Sequence, residues 1–368
     1  MGRVNARLTL LALLDILQRK TDAEHPISIA EIVRQLQETE YEGVSAGRDA
    51  VSDMLRDLEC YYSGPGRVCC KQTEQQSGSR YTYAYYYQMP FSGEEAELLL
   101  NEVMFSQNRS HAQVDALMEK LRSLTSVPYV KKNLNCFCPF SPDYYVSNGE
   151  MERNISLIYQ AIQENRYNSR MEATLSFDFN GYGNDKKLHK TRRFHCIFPI
   201  SICIKNGKYY LLCIFPRGTK VAHYRIDLIT DMEIEKANHG CGQDDGWKQS
   251  LKNTADLQAI TAYAAAHPNM FYEKPGDGTR IITLRVEKIP KKPDASLTFL
   301  VDTFGNNWEA ESGTETDDIV NVNVRSTVDA ITSFVLQYMD RVKVIAPAEV
   351  KEQVELNLRQ IFEKYFER

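Results

Sequence analysis

The sequence is poor in the features that mark catalysts, metal centres and membrane spans. Its 368 residues hold two tryptophans and seven histidines, the latter spread thinly. There is no H-E-x-x-H pair for zinc, no P-loop and no complete G-x-G-x-x-G, so no enzyme activity or cofactor is expected. No run approaches the roughly 18 apolar residues of a membrane-spanning helix. The apolar run at 8–14, behind Arg3 and Arg7, imitates a secretion signal, but Asp15 interrupts it. Leu10, Leu13, Leu14 and Leu17 fall on one face of an amphipathic first helix instead. Nine cysteines, an odd number, lie mostly in apolar stretches such as those around Cys196, Cys203 and Cys213. That pattern fits reduced thiols of a cytoplasmic protein, and Cys136-Phe137-Cys138 and Cys69-Cys70 lack the paired spacing of a zinc site. A net charge of −5 argues against a chain coated along its length by nucleic acid.

What the sequence does hold is a core: 43% hydrophobic and 25% charged residues, enough for two or three globular domains. Ser28 with Glu31 makes a capping box for a second helix, and a third, capped by Ser45, runs to about Glu59 with Val51, Met54, Leu55 and Leu58 at helical spacing. Residues 67–71 and 80–88 alternate as two strands. Ser92 and Glu95 open another helical pair across 92–124. Beyond a Pro- and aromatic-rich segment come a helix at 154–165, strands at 173–179 and 194–205, and a helix at 244–266. From 280 onward strands and helices alternate, which predicts an open α/β layer, closed by a long helix at 347–366 with Pro347 at its first turn.

The most informative stretch is 205–230, KNGKYYLLCIFPRGTKVAHYRIDLIT. Asn206-Gly207 is a strong hairpin signal, followed by a strand at 208–215, a second turn, and a strand at 221–228 that sets Tyr224 and Ile226 opposite Arg225 and Asp227. Between Gly183 and Arg225 ten Lys and Arg residues face one acid, Asp185. A concentration of that kind binds anions whatever the overall balance. Arg225 beside Asp227 reads two ways: a surface ion pair worth under about 1 kcal/mol, or a planar fork for phosphate with tyrosine faces nearby for a base.

These residues carry a resemblance. Tyr209-Tyr210-Leu211 resembles the Trp-Tyr-Leu signature of the WYL domain, with Tyr for Trp. Tyr224-Arg225-Ile226-Asp227-Leu228-Ile229 resembles its second signature, an aromatic-Arg-Leu-Asp-Arg-Ile run, with Leu228 where Arg is usual. SAGRDAVSDMLRDL at 45–58 is similar to the recognition helix of winged-helix regulators, and VKVIAPAEVKEQVELNLRQIFEKY to the C-terminal WCX extension of this bacterial regulatory family.

The resemblance implies a multidomain α+β protein. Its parts would be a winged helix-turn-helix at 1–90, a helical linker at 91–150, a WYL ligand-sensing domain built as an Sm-like small β-barrel at 151–240, a helical connector at 241–279, and a ferredoxin-like α/β extension of WCX type at 280–368. It implies a homodimer that meets double-stranded DNA through Ser45, Ala46, Gly47, Arg48 and Ser52 of the third helix, with Arg67, Lys71 and Arg80 on the wing. The effector, a nucleotide or single-stranded nucleic acid, would meet Tyr209, Tyr210, His223, Arg225 and Asp227, with Arg192 and Arg193 as phosphate neighbours. The alternative is an accessory protein of CRISPR or phage-defence type that binds RNA or single-stranded DNA through the basic barrel. Residues 1–90 hold ten Lys and Arg against twelve Asp and Glu, which favours that alternative.

Overall fold

The computed structural model describes residues 6–38, 41, 44, 46–62, 66–74, 81–104, 111–124, 149–167, 173–215, 220–237, 257–270, 273, 278–290 and 296–366. The chain divides into two compact units, Met1–Tyr145 and Val146–Arg368. Among the described residues there are ten α-helices and three antiparallel sheets, a multidomain α+β architecture.

In the first unit, α1 (Ala6–Lys20), α2 (Ile29–Gln35) and α3 (Arg48–Tyr61) pack against a sheet of β1 (Ile27–Ser28), β2 (Arg67–Glu74) and β3 (Tyr81–Gln88), ordered β1-β3-β2. Leu13, Ile16 and Leu17 of α1 meet Ile32, Val51, Leu55 and Leu58 from the other helices and Val68, Tyr85 and Tyr87 from the sheet. The leucine spacing read as an amphipathic helix therefore faces this core. The end of α1 is tied to the sheet by Thr21, whose Oγ1 donates to the Leu17 carbonyl (2.6 Å) and accepts from the Tyr87 N–H (2.9 Å).

Ser28 caps α2 as its spacing predicts, its Oγ accepting from the Glu31 N–H at 3.3 Å. For α3 the cap is Gly47 in extended conformation with no side-chain bond, a correction to the expectation placed on Ser45, which lies outside the described residues. Gly43-Val44-Ser45-Ala46-Gly47 also spells G-x-S-x-G, yet the element before it is α2 rather than the strand a nucleophile elbow requires. The helices α4 (Gly93–Met104) and α5 (His111–Arg122) follow, α4 opened by the reciprocal bonds Ser92 N–H to Glu95 Oε2 (2.9 Å) and Glu95 N–H to Ser92 Oγ (3.2 Å).

The second unit begins with α6 (Met151–Tyr167) and a sheet of β4 (Ala173–Tyr182), β5 (Leu188–Lys205), β6 (Lys208–Ile214), β7 (Val221–Arg225) and β8 (Ile229–Lys236), ordered β7-β6-β5-β4-β8. The long β5 pairs with β4 as far as Ile197 and with β6 from Phe198 onward, and Cys196, at φ 55°, sits at the changeover. Ile158, Ala161 and Ile162 of α6 cover Leu175, Phe177, Ile197 and Ile229. Asn206 and Gly207 both take positive φ (49° and 70°), the mirror-image turn that an Asn-Gly pair favours.

One strand differs from expectation. The segment 221–228 does not run through as a single strand; it breaks after Arg225 into a 3-10 turn, Ile226–Leu228, from which β8 starts. Ile226, Asp227 and Leu228 are 0, 5 and 2% exposed.

Next come α7 (Leu257–Ala266), β9 (Arg280–Glu287), α8 (Thr298–Phe304), β10 (Trp308–Ala310), β11 (Ile319–Ser326), α9 (Val328–Gln337), β12 (Val342–Ala346) and α10 (Ala348–Phe366). The sheet order is β10-β11-β9-β12. Phe299, Phe334 and Val350, one from each of α8, α9 and α10, join Leu284, Val322 and Val344 in one core, so all three helices lie on the same face of the sheet.

Cys196 is disulfide-bonded, which corrects the expectation of reduced thiols throughout; Cys60, Cys69, Cys70, Cys203 and Cys213 are free. Such a pairing depends on Cα and Cβ approach in three dimensions, which spacing does not encode. No described helix is long and apolar enough to cross a membrane.

Candidate anion-binding site

At the N-terminal end of α3, Gly47, Arg48, Asp49 and Ala50 are exposed, while Ala46 and Ser52 are half-buried. Further along, Asp53, Arg56, Asp57 and Glu59 are exposed, and Arg56 pairs with Asp53 at 3.8 Å rather than with its neighbour Asp57. The exposed face of α3 thus carries two arginines against four acids. On the hairpin, Arg67 Nε donates to Gln88 Oε1 (2.7 Å) and Lys71 Nζ to the Ala23 carbonyl (3.5 Å); Arg80 lies outside the described residues.

In the second unit, the break after Arg225 builds the centre of a charged site. The chain turns on itself there, so Arg225 Nε and Nη2 meet Asp227 Oδ1 and Oδ2 at 3.0 and 2.6 Å, a two-point fork. The Arg225 side chain is 18% exposed and that of Asp227 7%, so this is no surface ion pair. Lys208, at the start of β6, brings Nζ to 4.0 Å from Asp227 Oδ2. Burial pushes the Lys208 pKa down, with the Asp227 charge opposing it. Burial also works against the charge on Arg225, but the Asp227 bonds outweigh it and hold the pKa above the usual arginine value. Two cations therefore surround one carboxylate.

Tyr182 closes the end of β4 beside them. It is 42% exposed, and its hydroxyl pKa is raised, first by partial burial and then by the Asp227 charge. Neither Tyr182 nor Lys208 was singled out by sequence. The available signal was alternation, which sets Ser176, Asp178, Asn180 and Tyr182 on the face of β4 opposite Phe177 and Phe179.

The other expected ligand residues fall in different places. Tyr210 is Arg225's cross-strand partner but is 5% exposed, with the His223 ring edge-on at 6.2 Å, so its face is not open to a base. Tyr209 is partly buried against the central core. His223 lies on the same side of β7 as Arg225, but α7 and the residues after it cover it. Its Nε2–H donates to the Met270 carbonyl, so its Nδ1 accepts from the Tyr263 hydroxyl (2.7 Å). Burial lowers the His223 pKa to about 4, so it is neutral and enclosed rather than an anion ligand.

Arg193 is committed elsewhere, to Asp178 Oδ1 (3.1 Å) and the Asp231 carbonyl (2.9 Å), while Lys190 takes Asp178 Oδ2 at 2.7 Å. Arg192 is exposed, its guanidinium 5.0 Å over the Phe194 ring, near Tyr224 rather than Arg225. The three arginines that the sequence groups together occupy three separate environments.

No family model matches the chain, and no curated protein does. Solved structures align at low similarity. The proteasome accessory factor B/C (PafBC) of Arthrobacter aurescens aligns at 14% identity and a TM-score of 0.24, over 96% of this chain and 48% of that one. The chain thus spans about half the length of that protein. A CRISPR Cas-related protein aligns at 12% identity and a TM-score of 0.34, over 99% of this chain and 87% of that one. Overlays at these scores fix no shared fold.

Chemically, the Arg225 cluster suits a phosphate or another compact anion. Asp227 orients the guanidinium, and Lys208 sets a second cation beside it. An anion there would meet a planar arginine fork and a second cation in a half-buried place, where charge-assisted contacts are strong. Tyr182 offers an exposed ring beside it for a base.

Proposed function

We propose that the chain is a DNA-binding transcription regulator and not an enzyme. In this reading α1–α3 with the β2–β3 hairpin form a winged helix that meets double-stranded DNA. The five-stranded sheet is a WYL-type sensor whose Arg225 cluster takes a nucleotide or single-stranded nucleic-acid effector, and 280–368 is the WCX-type extension. The protein works in the cytoplasm as a homodimer. The observation that carries the reading is the half-buried Arg225–Asp227–Lys208 cluster beside the exposed Tyr182. The YRIDLI run that resembles the family's second signature supplies Arg225 and Asp227. To regulate, the effector must bind the DNA-competent and incompetent states with different affinities.

A second reading is favoured by one observation, the acid excess on the exposed face of α3. In it the sheet itself binds RNA or single-stranded DNA, and the first unit is an assembly module.

The substitutions Arg48→Ala and Arg225→Ala separate the two, read by fluorescence anisotropy on a pool of genomic duplex fragments and on labelled single strands. The regulator reading predicts that Arg48→Ala abolishes duplex binding while Arg225→Ala removes only the effector response. The accessory reading predicts loss of single-strand binding in Arg225→Ala and little change in Arg48→Ala. If neither substitution alters any binding, both readings fail.

A further inference from the structure

From Tyr182 to Arg192 every residue except Leu188 is exposed, so the β4–β5 hairpin stands clear of the core. Between Asp178 and Arg193 it holds five lysines and arginines against two acids, Asp178 and Asp185. Both acids are engaged within the hairpin. Asp178 takes Lys190 and Arg193. Asp185 builds the turn, its Oδ1 accepting from the Lys187 N–H (3.1 Å) and from His189 Nε2 (2.8 Å). Arg192 lies over the Phe194 ring, on the face of the hairpin away from Tyr182. Lys186 and Lys187 remain at the tip, and neither makes an ion pair or side-chain hydrogen bond with any described residue.

The tip has a defined geometry. The Gly183 N–H donates to the Lys187 carbonyl and the Lys186 N–H to the Gly183 carbonyl, both at 3.0 Å. A Cβ at Gly183 would come within 2.8 Å of the His189 ring, so the turn needs glycine there. Lys186 takes φ 59°, a conformation that glycine or asparagine adopts with less strain, yet the chain carries lysine. Tyr182 connects this tip to the Arg225 cluster. It pairs with Leu188, the neighbour of Lys187, and its hydroxyl feels the charges of Asp227 and Arg225.

We propose that the β4–β5 hairpin is a backbone clamp for a single-stranded nucleic acid, with one phosphate at Arg225 and Lys186 and Lys187 holding further phosphates of the same strand. The proposal rests on the sensor reading of the Arg225 cluster and extends it, because the ligand becomes a chain rather than a mononucleotide. Lysines are point charges on flexible stems, suited to phosphates whatever the base sequence. The exposed Tyr182 ring lies between the two anchors, where an unpaired base can stack. A duplex offers that ring no free base face, and an acidic protein segment offers it none either.

The test compares wild type with the double variant Lys186→Asn/Lys187→Gln and with Arg225→Ala. Asparagine tolerates the positive φ at 186, and circular dichroism checks that each variant folds. Inorganic phosphate is titrated calorimetrically. A fluorescent, 5′-phosphorylated oligothymidylate of about 12 nucleotides and a duplex of the same length are titrated by anisotropy over a range of salt. The double variant should bind inorganic phosphate and duplex as wild type does, but the oligothymidylate about tenfold more weakly at physiological salt. Its slope of log K against log salt should be shallower by about 1.4, two single-strand contacts at ~0.7 each. Polyglutamate should not displace the oligothymidylate from wild type. Unchanged affinity and slope in the double variant, an equal loss of duplex binding, or ready displacement by polyglutamate would each overturn the proposal. Failure of the sensor reading looks different: Arg225→Ala would then bind inorganic phosphate as well as wild type does.

Discussion

Thr327 donates its hydroxyl proton to Glu273, Oγ1 to Oε2 at 2.8 Å, where Thr327 is 0% and Glu273 4% exposed. Thr327 is also the N-cap of α9, accepting from the Ala330 N–H at 3.2 Å. Glu273 Oε1 accepts from the Asn269 N–H, and the His267 ring lies 4.0 Å away. His223, Tyr263 and His267 continue this polar seam to β7. A chain of buried side chains thus joins the strand that carries Arg225 to the C-terminal layer.

Burial raises the Glu273 pKa to about 7, against the opposing bonds from Thr327 and Asn269; Asp329 adds to the rise and Lys205 reduces it. The folded state therefore holds a proton that the unfolded chain has released. This contribution is complete below the unfolded value of 4.5 and is lost as pH rises through about 7. A shift of this size corresponds to about 3 kcal/mol. Glu273→Gln, which cannot ionise, should melt at a higher temperature than wild type at pH 8 and show no such gain at pH 4.5. Equal melting shifts at both pH values would contradict this.

His223 works in the opposite direction. Its pKa is lowered by burial to about 4, so its contribution is complete above 6.5 and is lost as pH falls through about 4. Between about pH 4.5 and 6.5 the two slopes cancel in wild type. The His223→Gln variant should expose the Glu273 slope and lose stability as pH rises, whereas Glu273→Gln should lose stability as pH falls. Thermal melts across this window check both signs.

Asp227→Asn removes the charge that holds Arg225 and leaves two cations together in a half-buried place. The expected cost is about 2 kcal/mol of stability. At the same time the freed guanidinium should bind inorganic phosphate more tightly, by isothermal titration. A variant that binds phosphate more weakly would mean that the orientation Asp227 gives the fork outweighs its competition for the guanidinium.

Thr21→Val keeps the shape of a buried side chain but deletes both of its bonds and leaves the Tyr87 N–H without its partner. The loss should be about 1–3 kcal/mol. Hydrogen exchange at the Tyr87 amide should accelerate with it.

Much of this architecture was legible in residue order. The Asn206-Gly207 turn, the strand that follows it, the Ser28 cap and the Ser92–Glu95 box are local signals, and each has its counterpart. The candidate site was legible only in part, because its determinants are not local. Whether Arg193 points to a ligand or to Asp178 depends on the register of β4 against β5, fifteen residues apart. The enclosure of His223 depends on Tyr263 and Met270, some forty residues later. The 3-10 turn at Ile226–Leu228 interrupts a segment whose period-two pattern reads as one continuous strand.

The central claim is that Arg225 is the anion-binding residue of a sensor site. Its most direct test is a titration of a fluorescent, 5′-phosphorylated single-stranded oligonucleotide against wild type and Arg225→Ala, with inorganic phosphate as competitor. The account predicts binding at least about tenfold weaker in the variant, the loss of a charge-assisted contact of about 1.4 kcal/mol or more, and displacement from wild type by phosphate. Equal affinity in the two proteins, with phosphate displacing neither, would contradict it.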